Sequence, residues 1–210
     1  MSDQQNVEAA WRRLTDWLKV NAPVSYASLL PGAPETAVEL ADATLREHLG
    51  FPLPAELAAL WRICGGVEHQ ELEDDEEGEV GSGAFLPGGV IMSPVDALRS
   101  RLPERTGPDW WGGAPVVPWL TRDEAGPESG HWVGDIGVGR WSLDSLIDVG
   151  QKAAYPSIAA YLDAVYRTLT DGPADAMGPG VPGVVWGCLI WDGHEAPLLD
   201  EALPHWTPVH

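Results

Sequence analysis

Cysteines, basic residues and long apolar runs are scarce in this sequence, and each scarcity excludes a class of protein. The 210 residues contain two cysteines, Cys64 and Cys188, which are too few for a disulfide-rich scaffold and share no metal-ligand spacing. We expect both to be reduced and buried, with a disulfide between them as the open alternative. The N-terminus lacks the apolar stretch of a secretion signal. No apolar run approaches the roughly 18 residues that span a membrane, so we expect a cytoplasmic protein.

The shortage of basic residues produces a strongly negative chain. Twelve Lys and Arg stand against 32 Asp and Glu, which gives a formal net charge of −20. Binding to nucleic acid or to an anionic membrane needs cationic side chains, so the composition argues against both. A negative field attracts a basic protein partner, and solubility alone is the alternative explanation.

The acidic residues are concentrated in one segment. No Lys or Arg occurs between Arg62 and Arg99, while eight acidic residues crowd positions 68–79. Self-repulsion predicts a solvated loop there, and the EF-hand pattern of a calcium site is absent. We therefore favour a solvated loop over a metal site, with a contact surface for a basic partner as the functional alternative. The candidate contact residues in this loop are Glu71, Glu73, Asp74, Asp75, Glu76, Glu77 and Glu79.

Residues 51–66 form the stretch around which the rest of the chain is organised. Pro54 suits the first turn of a helix, and Gly65 and Gly66 suit its end. Four residues between them recur with helical spacing on one face and predict a buried helix. They are Leu57, Leu60, Trp61 and Cys64.

Further periodic segments predict an α+β protein. Helices are expected over residues 6–20, 34–49, 93–103 and 157–170, and strands over 116–120, 131–136, 140–143 and 184–191. A hairpin is expected within 84–92, around Pro87-Gly88-Gly89. Residues 171–183 read as a Pro/Gly linker, and residues 192–210 show no period. The sum is a central, mostly antiparallel sheet with N-terminal helices and a late helix.

Sequence motifs of the common enzyme classes are missing. The phosphate-binding, dinucleotide-binding, zinc-protease and nucleophile-elbow patterns do not occur. Asp192-Gly193-His194-Glu195 is the most enzyme-like run, but Asp-Gly is also an ordinary turn dipeptide. We therefore predict that the chain is not an enzyme and has no catalytic residues, cofactor or metal. A weaker alternative places His131, Asp135 and His194 in one pocket.

Motifs in the first two thirds of the chain resemble the SUKH superfamily, which includes the yeast Smi-one/Knr-four cell-wall regulators. Trp11, Leu14, Trp17 and Leu18, followed by Leu30-Pro31-Gly32-Ala33, are similar to the family's first helix and loop. Leu49-Gly50-Phe51-Pro52-Leu53-Pro54, followed by the helix described above, is similar to its strongest motif. Phe85-Leu86-Pro87, Val117-Pro118-Trp119-Leu120 and Ser157-Ile158 with Tyr161-Leu162 match in order. Gly130-His131-Trp132-Val133-Gly134-Asp135 departs from the family in its spacing.

The resemblance implies a SUKH-like domain over residues 1–170, with residues 171–210 packed on the same domain. It also implies a non-enzymatic protein-binding module, most often a bacterial immunity protein that neutralises a polymorphic toxin such as a nuclease. A regulatory scaffold is the alternative. The motif residues with an expected structural role are Leu53, Pro54, Trp61, Gly65, Gly66 and Trp119.

The adjacent Trp110 and Trp111 complete the hypothesis of a contact surface. Neighbouring side chains of an extended chain point in opposite directions, so one indole should be more exposed than the other. Aromatic side chains often carry much of the binding energy of an interface. We therefore expect the acidic loop to attract a basic partner and Trp110 or Trp111 to contact it.

Overall fold

The computed structural model describes residues 3–74, 78–102, 111–122, 129–142, 149–172, 181–192 and 205–210. Within these ranges the chain forms six helices and nine strands. The helices are α1 (Asp3–Asn21), α2 (Pro23–Ala27), α3 (Glu35–Leu49), α4 (Ala55–Ile63), α5 (Pro94–Arg101) and α6 (Ile158–Asp171). The strands are β1 (Glu71–Asp74), β2 (Gly78–Gly81), β3 (Val90–Ile91), β4 (Val116–Thr121), β5 (Ser129–Gly134), β6 (Gly137–Ser142), β7 (Val181–Val185), β8 (Cys188–Asp192) and β9 (Thr207–Pro208).

The described strands pair in three antiparallel sheets. The largest has the order β3-β4-β5-β6, and the others are the β1-β2 hairpin and a β8-β7-β9 sheet. In the four-stranded sheet Val133 pairs with Val117 on one side and with Val138 on the other. The predicted α+β class with antiparallel pairing is confirmed.

The main core lies between the four-stranded sheet and helices α1, α4 and α6. The stripe predicted for α4 is buried as expected, and Leu57, Leu60 and Trp61 have no exposed surface. Ser157 caps α6, because its hydroxyl accepts a hydrogen bond from the Ala160 N–H at 2.9 Å. Burying an indole such as Trp61 contributes about 4–6 kcal/mol at the usual value per unit area.

The opposite face of the four-stranded sheet carries a second, smaller core. It is built from three tryptophans and two valines, and Arg101 lies beside it with its guanidinium 5.6 Å from the Trp111 ring centre. Buried Arg101 donates hydrogen bonds to the carbonyls of Val116 and Ala114. The five residues of this core are Trp111, Val116, Trp132, Trp141 and Val149.

The C-terminal sheet packs on the main core through one of its faces. Leu189 belongs to the main core, and the Trp191 indole N–H donates to the carbonyl of Phe85 at 2.9 Å. The carbonyl of Gly187 accepts hydrogen bonds from the N–H groups of Val24 and Ser25 at the start of α2. No described helix has both the length and the apolar character of a membrane span.

Four local predictions are wrong. The hairpin within 84–92 is reduced to a bridge between Leu86 and Gly89, because β3 pairs with β4 instead. The strand over 184–191 is two strands, and part of the supposed linker belongs to β7. The apolar run over 184–191 contains a turn at Trp186-Gly187, where both residues have positive φ. By contrast, the first helix ends near residue 20 as expected, at Asn21, and Pro23 then starts the short helix α2. The acidic loop is described below.

Candidate functional site

The acidic segment folds as a hairpin and not as the expected loop. β1 pairs with β2 so that Leu72 faces Val80 and Glu73 faces Glu79 across the ladder. Like charges at directly opposite positions weaken strand pairing, so the Glu73–Glu79 register does not by itself explain why the hairpin forms. Asp75, Glu76 and Glu77 lie outside the described residues.

The base of this hairpin is fastened by polar contacts and by one apolar side chain. The His69 Nδ1 accepts a hydrogen bond from the Gly83 N–H at 3.2 Å, and the Ser82 hydroxyl accepts one from the Gln70 N–H at 3.0 Å. Leu72 packs against the cluster formed by Val185 and Cys188 on the C-terminal sheet. Tertiary contacts therefore offset the charge repulsion within the hairpin.

The structure corrects the expectation that Trp111 contacts a partner. Its side chain is 5% exposed, its ring centre lies 5.1 Å from that of Trp141, and its indole N–H donates to the Ser100 carbonyl at 3.3 Å. An indole that fills a core in this way has little surface left for a partner. Trp110 lies outside the described residues.

A cleft of about 250 Å³ opens where α4, β5 and α6 meet. Asp135, in the turn after β5, lines it together with Glu56 from the first turn of α4 and Ser157, the N-cap of α6. The remaining lining residues are Pro54, Ala55, Val133, Gly134 and Pro156. Because this volume is smaller than that of a typical small-molecule pocket, the cleft suits a single side chain of a partner better than a large ligand.

Glu56 is a residue of this cleft that the sequence analysis did not single out. Its carboxylate accepts a hydrogen bond of 2.8 Å from the Ile158 N–H, at the start of α6. It also lies in the first turn of α4, where the helix dipole favours negative charge. The signal in the sequence was a Glu two residues after Pro54, but nothing in that spacing indicated contact with a helix about 100 residues away.

His131 and Asp135 do not share the cleft. His131 is 3% exposed and packs against Tyr161, with 5.3 Å between the ring centres. The last three residues of β5 lie between it and Asp135, which corresponds to about 13 Å of extended chain. Burial, together with the charges of Arg140 and Arg122, lowers the pKa of His131 to about 3, so the ring is neutral at pH 7. His194 lies outside the described residues, and the hypothesis of a pocket shared by all three is wrong for His131 and Asp135.

The residues of the family-like motif occupy core and turn positions. The Trp61 indole N–H donates to the Met92 carbonyl at 3.0 Å, and the Leu53 N–H donates to Asp42 at 2.8 Å. Trp119 is fully buried and meets Tyr161 edge to face, with ring centres 5.4 Å apart. Pro54 occupies the N-cap position of α4. Gly65 lies so close to the chain at Pro31 that a Cβ would approach its carbonyl oxygen to 2.8 Å, and Gly66 has φ 133°.

Neither cysteine has the properties of a reactive thiol. Cys64 and Cys188 are both free and buried. Burial raises the pKa of each thiol to about 11, so both stay protonated at neutral pH. Among the described residues, no group of three or more His, Cys, Asp or Glu side chains is arranged to hold a metal ion.

Comparison with known proteins gives a partial similarity. No protein-family model matches the chain. Proteins named coproporphyrinogen III oxidase from Mycobacterium bovis and Mycobacterium tuberculosis are 32% identical to it over 133 residues. The match covers 60% of this chain but only 28% of the length of each relative.

This similarity corrects the prediction that the chain is not an enzyme. The prediction rested on the absence of familiar catalytic motifs, whereas the relatives are named as an enzyme. Missing motifs test only for the chemistries that those motifs serve, so they do not exclude catalysis in general.

Proposed function

We propose that the chain is a protein-binding module that neutralises a basic bacterial toxin, in the manner of the SUKH immunity proteins that its motifs resemble. The observation that carries the proposal is the register of the acidic hairpin, in which Glu73 lies opposite Glu79. This hairpin belongs to a stretch without Lys or Arg from residue 63 to residue 98. A protein keeps an internally repulsive element when a function needs its charge.

The electrostatics of the hairpin favour a cationic partner. Carboxylates at opposite positions repel each other, and a nearby Lys or Arg from a partner offsets that repulsion because it attracts both of them. The overall charge of −20 extends the attraction to longer range and speeds association at low salt. Two free, buried cysteines fit a cytoplasmic location, where an immunity protein meets its toxin.

The test is co-expression with the product of the neighbouring gene, followed by co-purification. We expect one stoichiometric basic partner whose toxicity the chain suppresses. The variant Glu73→Lys, Asp74→Lys, Glu79→Lys should lose suppression and weaken binding at least tenfold. The control variant Asp16→Lys, Glu47→Lys, Asp171→Lys changes the charge equally at exposed sites outside the hairpin and should keep both.

Other outcomes distinguish the alternatives. Affinity that does not change across a salt titration would contradict an electrostatic interface. Several substoichiometric partners without toxicity would favour a regulatory scaffold like the yeast cell-wall regulators. Equal weakening by the hairpin and control variants would show that net charge, and not the hairpin, attracts the partner.

The similarity to proteins named coproporphyrinogen III oxidase favours a second candidate, an activity on coproporphyrinogen III. Oxidation of a porphyrinogen yields a fluorescent porphyrin, which makes the assay direct. The purified chain should raise the rate of fluorescence gain above the uncatalysed rate in air if this candidate is correct. A rate equal to that of the heat-denatured chain would remove it.

A further inference from the structure

The outer face of the C-terminal sheet carries half-buried tryptophans. Val185 and Cys188 are its buried centre, and Trp186, Ile190 and Trp206 pack around them while remaining partly exposed. We call these three partly exposed residues the tryptophan patch. Trp206 lies over Gly183, and a Cβ at that glycine would collide with the indole ring. Gly183 therefore leaves room for Trp206 to lie flat on β7.

Trp186 occupies a backbone position that does not favour tryptophan. Its φ is 49°, and the next residue, Gly187, has φ 81°. Two-residue hairpin turns with positive φ normally hold Asn, Asp or Gly, because other side chains crowd the backbone there. Among the described residues, Trp186 is the one non-glycine residue with positive φ. Its half-buried ring packs against the cluster of Val185 and Cys188 and lies 5.6 Å from the ring of His205, which is itself exposed.

The tryptophan patch adjoins the acidic hairpin. Leu72 of β1 packs into the same cluster as Trp186 and Trp206, so the two features share a boundary. β1 places Glu71 and Glu73 on either side of Leu72 in the sequence. The hairpin whose sequence carries this negative charge therefore borders the aromatic surface through Leu72.

We propose that the tryptophan patch receives arginine side chains of a basic protein partner, an inference that rests on the proposed function and names its contact surface. A guanidinium group stacks on an indole face better than the compact, strongly hydrated ammonium of lysine does. The fold already contains such a contact, since the guanidinium of Arg101 lies 5.6 Å from the ring centre of Trp111. The net charge of −20 attracts a basic partner to the protein, and the indoles of the patch select arginine over lysine.

The test compares two peptides of equal charge. The probes are a dodecapeptide of alternating arginine and glycine and its lysine counterpart, titrated by calorimetry at low salt. We expect the arginine peptide to bind about threefold more tightly. Trp186→Asn should abolish this preference without reducing the thermal midpoint, because asparagine accepts the turn geometry. Trp206→Leu should reduce the preference, whereas Trp17→Leu, a partly buried indole on α1, should retain it.

The hairpin variant and the patch variants distinguish the failure of this inference from the failure of the proposed function. The Glu73→Lys, Asp74→Lys, Glu79→Lys variant should weaken both peptides equally while keeping the arginine preference. Equal affinity of the two peptides for the native chain, no binding of either, or an unchanged preference in Trp186→Asn would overturn the role of the patch. A hairpin variant that binds both peptides as well as the native chain would instead contradict the proposed function.

Discussion

The carboxylate of Glu56 accepts a hydrogen bond of 2.8 Å from the backbone N–H of Ile158, which joins the first turns of α4 and α6. The first turn of a helix has N–H groups without partners inside the helix, and a carboxylate satisfies one of them while its charge complements the helix dipole. The Glu56 side chain therefore stabilises the starts of both helices. It also forms one wall of the cleft that Asp135 lines.

Replacing Glu56 tests this connection. Glu56→Ala should lower the free energy of unfolding by about 1–2 kcal/mol, because the Ile158 N–H loses its acceptor in a partly buried site. Glu56→Gln should cost about half as much, since the amide oxygen still accepts the hydrogen bond. Urea unfolding followed by circular dichroism measures both. Glu47→Ala, an exposed site on α3, is the control, and an equal loss there would contradict the role of Glu56.

Replacing Trp61 tests how much the buried face of α4 contributes to stability. Its side chain is fully buried, and its indole N–H donates to the Met92 carbonyl at 3.0 Å. Trp61→Phe should reduce the free energy of unfolding by about 2–4 kcal/mol, because it leaves both a cavity and an unpaired carbonyl. Chemical denaturation measures the loss. Trp17→Phe on α1 changes a partly exposed ring and should cost less than half as much; similar losses would show that burial does not set the effect.

Gly32 tests the loop that precedes α3. A Cβ at this position would collide with the backbone carbonyl of Arg62, at the end of α4. Gly32→Ala should lower the thermal midpoint by an amount equivalent to about 2 kcal/mol or more, because backbone atoms on both sides must move. Gly50→Ala is the matched control, since its φ of 78° is strained for alanine but its Cβ would meet nothing within 4 Å. A larger effect at Gly50 would contradict the packing explanation.

The helices could be predicted from the sequence because their signals are local. The spacing of apolar residues predicted the helix over 157–170 and the buried face of α4, and in the structure Ser93 and Ser157 cap the starts of α5 and α6. The pairing of strands depends on partners far along the chain. This is why the 84–92 segment was assigned to a hairpin of its own, although β3 pairs with β4.

The candidate site was harder to predict for a related reason. Trp111 and Trp186 are both tryptophans next to glycine, yet one fills a core and the other forms part of a half-buried turn. Composition shows neither burial nor backbone conformation, so the sequence favoured the more conspicuous Trp110-Trp111 pair. The acidic hairpin was located correctly as a charged segment, but its strand pairing depends on Leu72 reaching the C-terminal sheet.

His131 should make stability depend on pH in mildly acidic solution. Burial lowers its pKa to about 3, whereas an unfolded chain would titrate near the ordinary histidine value of about 6.5. The unfolded state therefore binds more protons between these values, and stability present above pH 6.5 is lost as pH falls. We expect a loss of about 2–3 kcal/mol between pH 7.5 and pH 4.5.

His131→Leu isolates this contribution. Glu35 and Asp42 have pKa values lowered by hydrogen bonds from Arg62 and Arg46, so their stabilisation is lost mainly below their ordinary values, near or under pH 4.5. The urea midpoint of the variant should therefore change less between pH 7.5 and pH 4.5 than that of the native chain. A slope equal to that of the native chain would assign the pH dependence to other groups.

Glu79 should show a conflict between stability and binding. The register places it opposite Glu73, so Glu79→Lys replaces a like-charge pair with an opposite-charge pair. Thermal stability of the free chain should stay equal or rise by up to about 0.5 kcal/mol, because a single cross-strand ion pair contributes little. Affinity for the basic partner should fall severalfold at low salt and less at high salt. Glu79→Gln removes one charge without creating an opposite-charge pair, so its affinity should be intermediate. If Glu79→Lys lost stability together with affinity, the acidic hairpin would serve folding instead of binding.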